Sequence, residues 1–240
     1  MSAAASGPPD EAGQPLQSEA APGWLISLAG AARQLPVPPG MLPPPAGGRR
    51  AAVLILFADG PQGPDVLLVQ RSAGLRRHPG QPAFPGGAID PGDSGPVAAA
   101  VREAAEEARV EPASVAVLAV LPDLFISRSG FVVSPVLAWW RSRGPVGPGD
   151  PGEIAAVRRV AVGDLARAEN RLTIRYPSGH AGPAFRAAGM LIWGFTAMVI
   201  DRLLAIGGWE QPWDSGRVTD LPAGELTIDG WPAAAGPALG

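Results

Sequence analysis

The sequence predicts a mixed α+β domain, or an α/β/α sandwich, rather than a run of βαβ units. Three observations lead there. Apolar runs of strand length come in pairs, AAVLILF (51–57) with DVLLVQ (65–70), and AVLAVL (116–121) with FVVSPVLAWW (131–140). One alanine-rich helical stretch, GPVAAAVREAAEEARV (95–110), stands between the pairs, and an amphipathic helix, LIWGFTAMVIDRLLAI (191–206), comes late. Strands thus precede and follow a single helix, whereas a doubly wound parallel sheet alternates strand and helix throughout.

The elements follow in order. Residues 1–22 are small, polar and proline-rich without periodicity, and are expected to form a disordered tail. Trp24, Leu25, Leu28, Ala32 and Leu35 share one helical face, which predicts a short amphipathic helix docked on the domain. PVPPGMLPPPAGG (36–48) holds six prolines and reads as an extended linker. Residues 23–48 are therefore a helix and linker, and the domain proper spans 49–215. DGPQGP (59–64) turns the chain between the first two strands. Asp93 or Ser94 is expected to cap the helix at 95–110, with Pro96 in its first turn. RSRGPVGPGDPG (141–152) is a loop, EIAAVRRVAV (153–162) a strand and GDLARAE (163–169) a short helix. RLTIRY (171–176) and PAF (183–185) form a hairpin, and 216–240 is expected to be irregular.

Composition excludes several functions. The 240 residues contain no cysteine, which removes disulfides, thiol nucleophiles and thiolate metal sites. All 19 basic residues are arginine, so neither a Schiff-base lysine nor a P-loop lysine is available. A net charge of −3 gives no electrostatic footprint for nucleic acid or an anionic membrane. The N-terminus has no basic stretch followed by an apolar one, and the longest apolar run, 190–200, is far short of the ~20 residues a membrane span needs. The expectation is a soluble cytoplasmic protein with no nucleic-acid or membrane partner. Its apolar late helix and spare tryptophans suit a homodimer or a monomer alike.

One helix is anomalous. In Arg102-Glu103-Ala104-Ala105-Glu106-Glu107 the three glutamates fall at i, i+3 and i+4 and share a face. They repel one another and lie toward the C-terminal end of the helix, where the macrodipole disfavours anions. A solvated acidic face is one reading. A divalent cation is the other, since hard oxygen donors on one rigid face suit Mg²⁺ or Mn²⁺ with substrate phosphates and water completing the shell.

Just upstream lies the glycine-rich FPGGAIDPGD (84–93), preceded by LLVQRSAGLRRHPGQPAFPGG (67–87). Gly87, Asp93 and the REAAEE run resemble the Nudix box, G-x5-E-x7-REUxEExGU, where U is a bulky apolar residue. The upstream run, and WGFTA (193–197), resemble signatures of the coenzyme A pyrophosphatase subgroup. The likeness covers roughly residues 50–215. It implies an α/β/α sandwich with a mixed central sheet and a pyrophosphohydrolase using Mg²⁺ or Mn²⁺. The substrate implied is a small nucleotide, coenzyme A or its acyl esters, cut to 3′,5′-ADP and 4′-phosphopantetheine. Another nucleoside diphosphate derivative (an ADP-sugar, a dinucleotide or an oxidised dNTP) is the alternative, and a non-catalytic ligand-binding module with the same fold is the third.

The resemblance also implies roles. Glu103 and Glu107 are metal ligands, Glu106 is a third ligand or water-orienting base, and Arg102 holds a glutamate in place. Arg71 and Arg76, with Arg77 and His78 beside them, recognise the anionic substrate; a structural hydrogen bond is the competing role for His78. Gly86 and Gly87 permit close backbone approach, or a positive φ, next to the metal. Glu153 is a candidate further ligand or base. The chain departs from the box at four points: Asp93 replaces its first glutamate, eight residues rather than seven precede Arg102, Ala104 replaces a bulky residue, and Arg109 stands where the box has glycine. The last predicts a different helix ending, because glycine normally adopts the left-handed conformation there.

Overall fold

The computed structural model describes residues 21–75 and 79–221. The expectations for residues 1–20, for Arg76, Arg77 and His78, and for 222–240 lie outside the described residues. The described residues open with α1 (Gly23–Ala32) and a 3₁₀ turn, Pro39–Met41, inside the segment expected to be extended. β1 (Arg49–Gly60) and β2 (Gly63–Arg71) form a hairpin. Two short strands follow: β3 (Pro82–Ala83) on β2, and β4 (Gly86–Ala88) antiparallel to β1. Then come α2 (Pro96–Ala108), β5 (Val115–Val120), β6 (Leu124–Ile126), β7 (Phe131–Trp140), β8 (Ile154–Ala161) and α3 (Val162–Ala166).

These eight strands make one mixed sheet along the path β3-β2-β1-β7-β5, with β8 on β2 and β6 on β7. β1 and β7 run parallel in register, Ala52 opposite Ser134 and Leu54 opposite Val136, because α2 carries the chain across between them. The second sheet holds β9 (Arg171–Arg175), β10 (Ala181–Ala187), β11 (Met190–Ile192) and β12 (Val218–Asp220), ordered β11-β10-β9-β12. α4 (Gly194–Ile206) sits between β11 and β12 in the chain.

The central strands are apolar throughout because both faces of the large sheet are covered. Ala52, Leu54, Leu56, Leu67, Val69, Val136 and Ala138 face α2, whose Ala99, Ala100, Ala104 and Ala108 let its backbone lie close to the strands. Ile55, Phe57, Val66, Leu68, Leu137 and Trp139 face the opposite layer of α1, α3, α4 and the second sheet. α1 is part of that layer: Leu25 and Ala32 are fully buried, and the Trp24 ring meets Phe57, Trp139 and Trp209 edge-on at 5.4–6.4 Å between centroids. Docking, inferred from the helical face, is what the structure has.

Four local expectations need correction. Gly95, not Asp93 or Ser94, occupies the cap of α2 and offers no side-chain bond; Pro96 is the first helical residue as expected. Residues 191–192 belong to β11, so α4 starts at Gly194, whose φ of +67° ends the strand. Residues 218–220, expected to be irregular, pair parallel with β9. Arg109 does not change how α2 ends. It takes the left-handed conformation itself (φ 58°, ψ 33°), while its N–H and that of Val110 bond the Ala105 and Ala104 carbonyls, the pattern glycine would make. No helix among the described residues is long and apolar enough to cross a membrane.

Candidate active site

The acidic face of α2 lies under the β4 strand and its flanking loops. α2 buries its alanines against the sheet, which turns Glu103 and Glu107, one turn apart, toward β4. Gly86 donates its N–H to Glu107 Oε2 at 3.0 Å. A Cβ on Gly87 would fall within 2.6 Å of Glu103 Cδ, and one on Gly86 within 2.7 Å of Val53 Cα. Both glycines are therefore required by close approach, at Gly87 to the carboxylate itself.

Arg102 is the hub of the loop. Its Nε and Nη2 donate to the two oxygens of Asp93 at 3.1 and 2.9 Å, Nη1 donates to Glu103 Oε1 at 2.9 Å and Glu106 Oε2 at 3.2 Å, and Nη2 also reaches the Ala88 carbonyl at 3.1 Å. Asp93 is thus the anchor of Arg102 rather than a helix cap, and this bidentate pairing holds its carboxyl below the usual range. Asp90, which no sequence argument singled out, closes the loop by donating its N–H to Asp93 at 2.8 Å and lies 3.6 Å from Arg102.

Arg71 ends β2 after a register shift at Gln70/Arg71. Its Nη1 lies 3.6 Å from Glu107 Oε1, and its N–H donates to the Gln81 carbonyl at 3.1 Å. The next residue, Ser72, donates its N–H to the Glu153 carbonyl at 2.8 Å, which brings the start of β8 to the same place. Arg71, Gly86, Glu107 and Glu153, far apart in sequence, converge there. Glu106 stands apart: its side chain is 60% exposed against 16% for Glu103 and 10% for Glu107.

Burial pushes the Glu107 carboxyl up to about 7, with Glu103 and Glu153 adding to the rise and the Gly86 N–H and Arg71 opposing it. Burial raises Glu103 too, against the pull of Arg102. The far end of α2 is sealed by the loop after β7. Gly147 and Gly149 donate to the carbonyls of Ala108 and Glu107 at 3.2 and 3.0 Å, and a Cβ on Gly149 would lie 2.8 Å from the Glu106 carbonyl carbon. From sequence this segment reads only as a loop.

Among the described residues, no three acidic or histidine side chains are gathered as they stand for an ion, and Arg102 bridges Glu103 and Glu106. The donor set nonetheless fits a hard divalent cation. Glu103 and Glu107 are hard oxygen donors one turn apart on one helix face, and Gly87 lets the backbone approach the Glu103 carboxylate closely.

A mixed-sheet sandwich carrying an acidic helix beneath a glycine loop defines the class. A family model described as the NUDIX domain matches residues 48–178. The chain belongs to the Nudix family, hydrolases of phosphorus-containing anhydrides that generally use divalent metal ions. It is 51% identical over 94 residues to the uncharacterized Nudix hydrolase NudL of Klebsiella aerogenes, a match covering 39% of this chain and 77% of that protein. Against NudL of Escherichia coli (strain K12) it is 52% identical over 89 residues, 37% of this chain and 45% of that one. The chain thus spans about half the length of several of the curated relatives it matches. A solved Nudix hydrolase from M. Smegmatis, RenU, is 23% identical with a TM-score of 0.48, covering 71% of this chain and 96% of that one.

Proposed function

We propose that this chain hydrolyses the pyrophosphate bond of coenzyme A or acyl-coenzyme A, with Mg²⁺ or Mn²⁺, to 3′,5′-ADP and (acyl-)4′-phosphopantetheine. One observation carries the reading. The run LLVQRSAGLRRHPGQPAFPGG, which resembles the coenzyme A pyrophosphatase signature, leads directly to the acidic helix, and its Arg71 and Gly86 both meet Glu107. A cationic strand end beside buried carboxylates is what a diphosphate needs, with metal and arginine sharing its charge.

Glu103 and Glu107 would hold the ion. Bound there, it would draw charge from the phosphate oxygens and lower the pKa of coordinated water. The chain's own residues do the rest. Asp93 fixes Arg102, and Arg102 fixes Glu103. Glu106, the most open of the three, is available as a further ligand or to orient the attacking water. Glu153 is a further candidate ligand or base. Water's oxygen bonds to one phosphorus, the bridging P–O bond breaks, and the proton leaves through a carboxylate or solvent.

The test is a substrate panel of coenzyme A, acetyl-coenzyme A, an ADP-sugar and an oxidised dNTP, with each metal and with products resolved by chromatography. Coenzyme A is expected to give 3′,5′-ADP. Intact coenzyme A beside rapid cleavage of an ADP-sugar or an oxidised dNTP would overturn the reading.

A further inference from the structure

The two arginines at the acidic helix are used differently. All three nitrogens of the Arg102 guanidinium are engaged, and Asp93, Glu103 and Glu106 surround it. Arg71 is underused. Its Nη1 faces Glu107 Oε1 at 3.6 Å, beyond hydrogen-bonding distance, so charge rather than a bond relates them. Its Nε is buried with no hydrogen-bond partner, an arrangement that costs free energy and persists where something else requires it. The Arg71 backbone is fixed by its N–H on the Gln81 carbonyl and by its pairing with Ile154. The Arg71 side chain is 29% exposed.

Each oxygen of Glu107 already faces a partner. One oxygen takes the Gly86 N–H, and the other faces Arg71. We propose that Arg71 is the resident counter-ion of Glu107 in the metal-free protein, gives up the carboxylate when a divalent cation binds, and turns its guanidinium to substrate phosphate. This deepens the function proposed above and rests on Glu107 being a metal ligand. Arg71 is then a positioning residue in the metal-free state and a substrate contact in the loaded one. Because two cations beside one carboxylate repel each other, removing the arginine strengthens metal binding.

The experiment measures Mn²⁺ affinity by electron paramagnetic resonance on the full chain without nucleotide. Wild type is compared with Arg71→Gln, Arg71→Met and Arg71→Lys, each checked for folding by circular dichroism. The two neutral variants are expected to bind Mn²⁺ at least about fivefold more tightly, the low end of site-to-site coupling, while the charge-keeping Lys variant stays near wild type. A merely structural arginine predicts the opposite sign, a loosened site with weaker Mn²⁺. In saturating Mn²⁺, ADP is expected to bind the neutral variants at least about fivefold more weakly. Unchanged or weaker Mn²⁺ binding in the folded neutral variants overturns the exchange and leaves the metal assignment standing. Unchanged ADP affinity overturns the substrate half of the proposal. A folded wild type that binds no Mn²⁺ overturns the metal assignment itself.

Discussion

Replacing Glu107 by glutamine should stabilise the metal-free protein while disabling the loaded one. The carboxyl has an ordinary value of 4.5 and sits at about 7 in the folded chain, with desolvation the leading cause. The folded state therefore holds this proton more tightly than the unfolded state does. The stability that the neutral acid allows is fully present below 4.5 and is lost as pH rises toward and through 7. The gap corresponds to about 3 kcal/mol once both states are ionised, an upper figure for a side chain this buried. Glutamine stays neutral at every pH and can still accept the Gly86 N–H. Urea unfolding in EDTA should give Glu107→Gln and wild type equal stability near pH 4. By pH 8 the variant should lead by about 1–3 kcal/mol. In Mn²⁺ at about a thousand times its dissociation constant the order reverses, because wild type alone gains about 4.1 kcal/mol from ligation, and the variant loses nearly all turnover. A difference that stays flat from pH 4 to 8 in EDTA would refute the reasoning, as would a wild type that is the more stable at pH 8.

Other perturbations test the remaining parts. Leu25→Ala, at a fully buried position of α1, should cost about 2–5 kcal/mol in urea unfolding although it precedes the matched family segment. Arg109→Gly should raise stability by about 1 kcal/mol by relieving a left-handed arginine, with turnover unchanged. Gly87→Ala places a methyl against the Glu103 carboxylate and should lower turnover about a hundredfold through a misplacement of about 1 Å, with a much smaller change in unfolding midpoint.

The legible parts of the fold were the long ones. β1, β2, β5 and β7 are continuous apolar runs, and α2 and α4 carry a helical repeat, so hydrophobic spacing alone located them. β3, β4, β6, β11 and β12 are two or three residues long and hold no period to read. They exist because a longer strand lies alongside with bonding groups unpaired. At the candidate site, the shared face of Glu103 and Glu107 follows from their spacing on a helix. That Asp93 pairs with Arg102 instead of capping α2 does not, because a carboxylate near a helix start serves either purpose and only the path of the loop chooses.

By itself, the sequence determined the order of the long strands and helices, the absence of lysine and cysteine chemistry, and the placing of three glutamates and an arginine on two turns of one helix. Each is local, set by residue type and by a period of two or 3.6. Only the tertiary structure decided how deeply each glutamate is buried, and with it which carboxyls are raised. It alone brought Arg71 and Glu153 to Glu107, and loop 147–149 to the end of α2. Those relations join segments that meet only when α2 settles on the sheet, and the dielectric and steric environment of a carboxylate belongs to the packed neighbours rather than to the residues beside it in the chain.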